Sequence, residues 1–217
     1  MIPRVNFLDQ LKAATSRAPI TAILGPRQCG KTTLVRQFLS DKRATFFDLE
    51  SQSDLLALQN PHFVLTPMHG YVVIDEIQHL PSLFNALRVI VDDPTCQAKF
   101  IILGSASFSL IRESADSLAG RISYVDMGGF TSEEIYPADW RDLWVRGGYP
   151  RSFLAPNDEE SMEWREDYIR TVLAKDLPQM GYRIPEPTLR RFWNMLANYH
   201  GQIWNGAEIG GAMGLSS

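Results

Sequence analysis

Residues 25–32 read Gly-Pro-Arg-Gln-Cys-Gly-Lys-Thr and fill every fixed position of the pattern G-x-x-x-x-G-K-[ST]. Few segments this short restrict a fold so strongly. The glycines let the backbone curl until successive N–H groups face one side, making an anion nest at the N-terminus of a helix. A strand must deliver the chain to that turn and a helix must leave it. The flanks supply both: Ile20–Leu24 is a short, partly β-branched apolar run, and Lys31–Leu39 is rich in helix formers. Gly25, Pro26, Arg27, Gln28, Cys29, Gly30, Lys31, Thr32 and Thr33 are therefore the candidate nucleotide-binding residues. Lys31 can reach the β- and γ-phosphates as a point charge, and the Thr32 hydroxyl can ligate Mg²⁺.

The alternation of strand and helix signals continues downstream. Ala44–Leu49, Tyr71–Ile74, Phe100–Leu103 and Ile122–Met127 read as further strands, with helical patterns at Gln52–Leu58 and Pro81–Val91 between them. Runs such as Tyr-Val-Val-Ile and Phe-Ile-Ile-Leu are apolar throughout, as expected for strands covered by helices on both faces. The expected fold is α/β: a three-layer sandwich around a five-stranded, mostly parallel sheet, followed by a smaller helical region.

The third apolar run ends in Asp75-Glu76. A strand buried on both faces has no internal place for paired carboxylates, so they should emerge at its C-terminal edge, where ligands sit in open α/β sheets. There Asp75 is the candidate Mg²⁺ ligand, and Glu76 the residue that orients or deprotonates an attacking water. The bland alternative, a strand meeting a solvated turn, loses weight because a P-loop lies upstream. Ser105 follows the next strand and is a candidate polar sensor of the γ-phosphate, if that strand lies between the other two; the alternative is a helix cap. Arg121 precedes the last strand. Its fork suits transition-state phosphoryl charge, acting in its own chain or a neighbouring one, or it serves only a surface salt bridge.

Net charge of −4 and a pI near 5.6 argue against a protein that grips many nucleic-acid phosphates. Cys29 and Cys96 lack the spacing of a zinc site and read as free thiols. With no apolar window of membrane-spanning length, the expectation is a cytoplasmic protein with no membrane partner. After residue 130 the texture changes: five tryptophans appear (Trp140, Trp144, Trp164, Trp193, Trp204), and Glu159–Asp176 and Pro187–Tyr199 have helical character. The tryptophans are expected to serve the core. The boundary falls near residues 130–150, dividing a core over residues 1–135 from residues 136–217, which read as an all-α lid or the start of a second domain.

Gly25–Leu34, Val73–Gln78, Leu103–Ser107, Ser117–Arg121 and Gly147–Pro150, in that order, resemble the AAA_14/DUF4143 ATPases of prokaryotes. The resemblance covers essentially the whole chain. It implies an AAA+-like ATPase core, a winged-helix segment and then a DUF4143 domain. It also carries Lys31, Thr32, Asp75, Glu76, Ser105 and Arg121 onto the family's phosphate, metal, base, sensor and arginine motifs, and ATP rather than GTP onto the site. Cys29 stands where a small aliphatic residue is usual, with little effect expected at a position that presents backbone. Residues 205–217 look like the first helix and turn of a helix-turn-helix that stops before its recognition helix, which makes DNA binding doubtful for this chain. The function expected is Mg²⁺-dependent ATP hydrolysis driving a conformational switch, slow in isolation, with a second copy or a partner protein as the source of an arginine. The alternatives are a nucleotide-responsive module that binds ATP or ADP with negligible turnover, or the ATPase part of a DNA-associated protein.

Overall fold

A computed structural model of the chain describes residues 2–104, 116–137, 140–179, 181–182 and 184–214. The chain separates into two compact units, Met1–Ser161 and Met162–Ser217.

In the first unit β1 (Ile20–Leu24), β2 (Ala44–Asp48), β3 (His69–Asp75), β4 (Gln97–Gly104) and β5 (Ile122–Asp126) form one sheet in the order β2-β3-β4-β1-β5. Every pairing is parallel. Side chains alternate between faces along each strand, and the core divides accordingly. Ile20, Ala22, Val72, Ile74, Phe100 and Ile102 face one way and pack with Leu83, Phe84, Leu87 and Ile90 of helix α5 (Leu83–Asp92). Ile23, Val73, Ile101, Leu103 and Val125 face the other way, against Leu11 and Ala14 of α1 (Val5–Arg17) and Leu34, Val35 and Phe38 of α2 (Lys31–Phe38). These two buried faces are the three-layer α/β sandwich expected from the apolar runs. All five residues of β1 are buried, whereas β2 at the sheet's edge has none buried.

Several boundaries move. β3 and β4 begin two or three residues before their apolar runs, because His69 pairs with Gln97 and Gly70 with Ala98; ladder hydrogen bonds extend a strand without regard to polarity. Helix α1 was not among the expected elements. Its Phe7, Leu8, Leu11 and Ala14 nevertheless lie at helical spacing toward the second core layer. The helical pattern near Pro81 begins at Leu83. Beyond the sheet come helices Ser132–Ile135, Trp140–Arg146 and Pro150–Phe153. Helix Asp158–Thr171 then passes into a π-helical turn, Val172–Asp176, so the expected continuous helix changes hydrogen-bond register at its end. Helices Glu186–Asn198 and Gly206–Ala212 complete the second unit's main elements.

The tryptophans do not form a core. Trp140, Trp144 and Trp204 are exposed and Trp164 and Trp193 only half-buried. Trp140 and Trp144 are four residues apart on a seven-residue helix, so they share a face that so short an element leaves open. Among the described residues no helix is long and apolar enough to cross a membrane.

Candidate functional site

The loop after β1 is built by close backbone approach. Its entry is tied by Met127 N–H to the Leu24 carbonyl at 2.7 Å and by Gly25 N–H to the Gly104 carbonyl at 3.3 Å. A Cβ on Gly25 would lie 2.1 Å from the Met127 carbonyl oxygen, so only glycine fits. Gln28 (φ 62°) and Gly30 (φ 101°) both adopt left-handed backbone, which turns the chain into helix α2. Gln28 is not glycine, and strain of that kind concentrates at functional sites.

Lys31 is buried, and its Nζ donates to the carbonyls of Gly25 and Pro26 at 3.0 Å each. The ammonium therefore sits inside the curl of the loop, where an anion held by the nest would meet it. Thr33 is exposed on the first turn of α2. Cys29 is fully buried among Leu34, Val73 and Leu103, with its thiol 3.5 Å from the Met127 carbonyl oxygen. Burial pushes that thiol's pKa up, against the opposing pull of Lys31 and Arg4. It is a packing residue that presents only backbone to the loop.

Strand β3 brings Asp75 to the same edge. The Thr32 hydroxyl donates to Asp75 Oδ2 at 2.7 Å across 43 residues of sequence, and Asp75 Oδ1 accepts the Glu76 N–H at 2.9 Å. Glu76 has left-handed backbone (φ 53°, ψ 46°), a second strained residue at this edge. Gln78 Nε2 donates to Glu76 Oε2. The Arg27 guanidinium lies 4.0 Å from Glu76 Oε2 and 3.4 Å from Glu50 Oε1. Arg27, a loop residue, thus spans two acids of neighbouring elements.

β4 lies between β1 and β3, the arrangement that the sensor assignment required; Ser105 itself lies outside the described residues. Arg121 is not brought to this edge. Its carbonyl accepts the Ile20 N–H, and Ile122 pairs with Ile20, so Arg121 sits where β1 begins while the phosphate loop follows where β1 ends. At about 3.3 Å per residue the length of the strand separates them. Its guanidinium forks onto Asp92 at 2.6 and 2.7 Å, which raises the arginine's pKa and lowers the aspartate's.

Two residues with no role assigned from sequence belong to the site. Gln78 follows Asp75-Glu76 within one motif, and its position there was the available signal. Arg4 had none. It is buried, and its partners Cys29, Gly128, Gly129 and Glu134 lie 25 to 130 residues away.

A phosphate-type loop at the carboxyl edge of a parallel sheet, with an acidic strand end hydrogen-bonded to its threonine, defines a P-loop nucleotide-binding protein of ATPase-like character. The family follows: residues 17–136, more than half of the chain, match the AAA domain model AAA_14, and the chain belongs to that family. Residues 137–217 match a domain of unknown function, DUF8612, a description that names no activity. Uncharacterized proteins Rv2008c of Mycobacterium tuberculosis and Mb2031c of Mycobacterium bovis are each 44% identical over 209 residues. That match covers 96% of this chain and 47% of each relative, so the chain spans about half the length of those relatives. Among solved structures, the Walker-type ATPase PABY2304 of Pyrococcus abyssi superposes with a TM-score of 0.64 at 14% identity, over 98% of this chain and 88% of that one. At that identity the likeness is one of fold.

Proposed function

We propose that the chain binds Mg²⁺-ATP at Gly25–Thr33 and hydrolyses the γ-phosphate, with the first 135 residues as ATPase core and residues 136–217 as a helical lid that responds to nucleotide. The observation that carries the reading is the 2.7 Å contact between Thr32 Oγ1 and Asp75 Oδ2. Sequence-distant residues of the two types that hold magnesium in P-loop enzymes meet at one point. One hydroxyl and one carboxylate are a sparse, all-oxygen donor set of the kind that suits Mg²⁺ beside substrate phosphates. Thr32 and Asp75 would hold the ion, and its charge would offset that of the nucleotide's phosphates.

Within this reading Lys31 leaves the Gly25 and Pro26 carbonyls for the phosphates, exchanging neutral acceptors for charged ones. Glu76 accepts a proton from water, or orients it, and Gln78 holds the Glu76 carboxylate in direction. Ser105 is kept as the proposed sensor. Arg121, on the far edge beside Asp92, Arg88 and Asp116 in an open depression, cannot reach its own chain's phosphates; its proposed catalytic role is toward a neighbouring copy.

The test is calorimetric binding of Mg²⁺-ATP and Mg²⁺-ADP with phosphate release followed in parallel. Lys31→Ala should weaken binding of both nucleotides at least tenfold. Glu76→Gln should keep binding and lower release on the order of 10² or more, the usual scale of general-base loss. A folded wild type that binds neither nucleotide would sink the reading. A nucleotide-responsive module with negligible turnover is the second reading. It is favoured by the engagement of Glu76 by Gln78 and Arg27, and by the remoteness of Arg121; its signature is tight binding with release unchanged in Glu76→Gln.

A further inference from the structure

The Arg4 guanidinium, beside the phosphate loop, is fully hydrogen-bonded. A guanidinium has five N–H donors, and each has its own acceptor. Nε donates to Glu134 Oε1 at 2.7 Å, and one Nη donates to the carbonyls of Cys29 at 3.2 Å and Gly128 at 2.9 Å. The other donates to the Gly129 carbonyl and Glu134 Oε2, both at 2.9 Å. The Phe7 and Phe130 rings lie 4.5 and 5.3 Å from its central carbon. Glu134 is itself fixed, because its carboxylate accepts the Thr131 N–H while its own N–H donates to the Thr131 hydroxyl. The neighbouring backbone is pinned in turn: Phe130 N–H donates to the Gly148 carbonyl at 2.6 Å.

One of the five acceptors belongs to the phosphate loop. In a trans peptide the C=O and the following N–H point in opposite directions. With the Cys29 carbonyl directed at Arg4, the Gly30 N–H is directed away from it. Gly30 has left-handed backbone, and without a Cβ it leaves the peptide before it free to turn once the Arg4 contact is lost. We infer that Arg4 is a positioning residue of the phosphate cradle, holding the Cys29–Gly30 peptide so that the Gly30 N–H faces the β-phosphate of a bound nucleotide. The inference rests on the nucleotide-binding reading above. Lysine cannot replace Arg4, since three donors on one nitrogen cannot serve carbonyls and a carboxylate spread across five directions.

The experiment compares ADP and AMP affinities by calorimetry for the wild type, Arg4→Lys and Glu134→Gln. Leu87→Ala, buried on the opposite face of the sheet, serves as a destabilised control. The ADP-to-AMP preference should fall about tenfold in Arg4→Lys, the scale of one charge-assisted hydrogen bond. It should fall less in Glu134→Gln, and stay at the wild-type value in Leu87→Ala. General loosening of the fold would not move that ratio. If Arg4→Lys does not fold, Glu134→Gln carries the comparison, since it retains all three backbone acceptors of the guanidinium. An unchanged preference in a folded variant, with wild-type ADP binding intact, overturns the positioning role alone. Absence of ADP binding by the wild type overturns the nucleotide reading, and this role with it.

Discussion

At Gly25 a hydrogen is all the fold admits. The Met127 carbonyl oxygen occupies the place a Cβ would take, and both partners are backbone, so neither can swing aside. Gly25→Ala should therefore cost about 1–3 kcal/mol, the usual scale of overpacking, and should weaken ADP binding because the loop's entry shifts. Urea unfolding and calorimetry on the same sample would check both. Folded-state stability equal to wild type would contradict the geometry. This glycine was legible, since the motif demands it. The left-handed Gln28 and Glu76 were not: neither residue type announces positive φ, and only the folded chain displays it.

Among the elements, position in the sheet decides how much a side chain matters. Ile101 is fully buried on β4, paired on both sides by β1 and β3. Phe46 lies on edge strand β2, partly exposed, beside the Arg36 guanidinium. Ile101→Ala should destabilise by about 2–5 kcal/mol. Phe46→Ala should cost about 1 kcal/mol, although it removes the larger side chain, because more than a third of Phe46 stays in water. Equal shifts in the two denaturation midpoints would count against the strand order. Continuous apolar runs made the centres of β1, β3 and β4 readable. Their ends were hidden because His69, Gln97 and Lys99 join the ladder through backbone alone.

At the scale of the whole molecule, two ion pairs join distant parts of the chain and make opposite predictions. Arg121 and Asp92 meet on an exposed edge away from the phosphate loop. Asp92→Asn should leave Mg²⁺-ATP affinity of the single chain within about twofold and stability nearly unchanged, as surface pairs contribute little. A tenfold loss of affinity would place Arg121 in its own chain's site after all. Arg4 and Glu134 close a far longer loop in a buried setting. Burial alone would raise the Glu134 carboxyl, but hydrogen bonds from Arg4 and Thr131 outweigh it and hold the group below the usual glutamate range. With a depressed folded pKa, the unfolded chain binds the extra proton first as pH falls. The stabilisation is therefore fully present above about pH 4.3, the ordinary glutamate value, and is lost as pH drops through the folded value. Thermal midpoints measured from pH 6 to 3 should fall less steeply for Glu134→Gln than for the wild type.

Local pattern was sufficient for the backbone course of single segments. G-x-x-x-x-G-K-[ST] specified a nest between strand and helix, and apolar runs specified strands buried on both faces. An acidic pair closing such a run had to emerge at the strand's C-terminal end. Those inferences need only residue types and short spacings, because hydrogen-bond periodicity and burial act over a few residues. Which edge each residue reaches was decided by tertiary structure. Arg121 carries the same side chain whether it faces the phosphates or Asp92, and only the parallel register of β1 and β5 settles the matter. Arg4 looks like any charged residue near a chain start until Cys29, Gly128, Gly129 and Glu134 gather around it. Directional contacts between residues over a hundred positions apart leave no periodic trace, so the folded chain alone could disclose them.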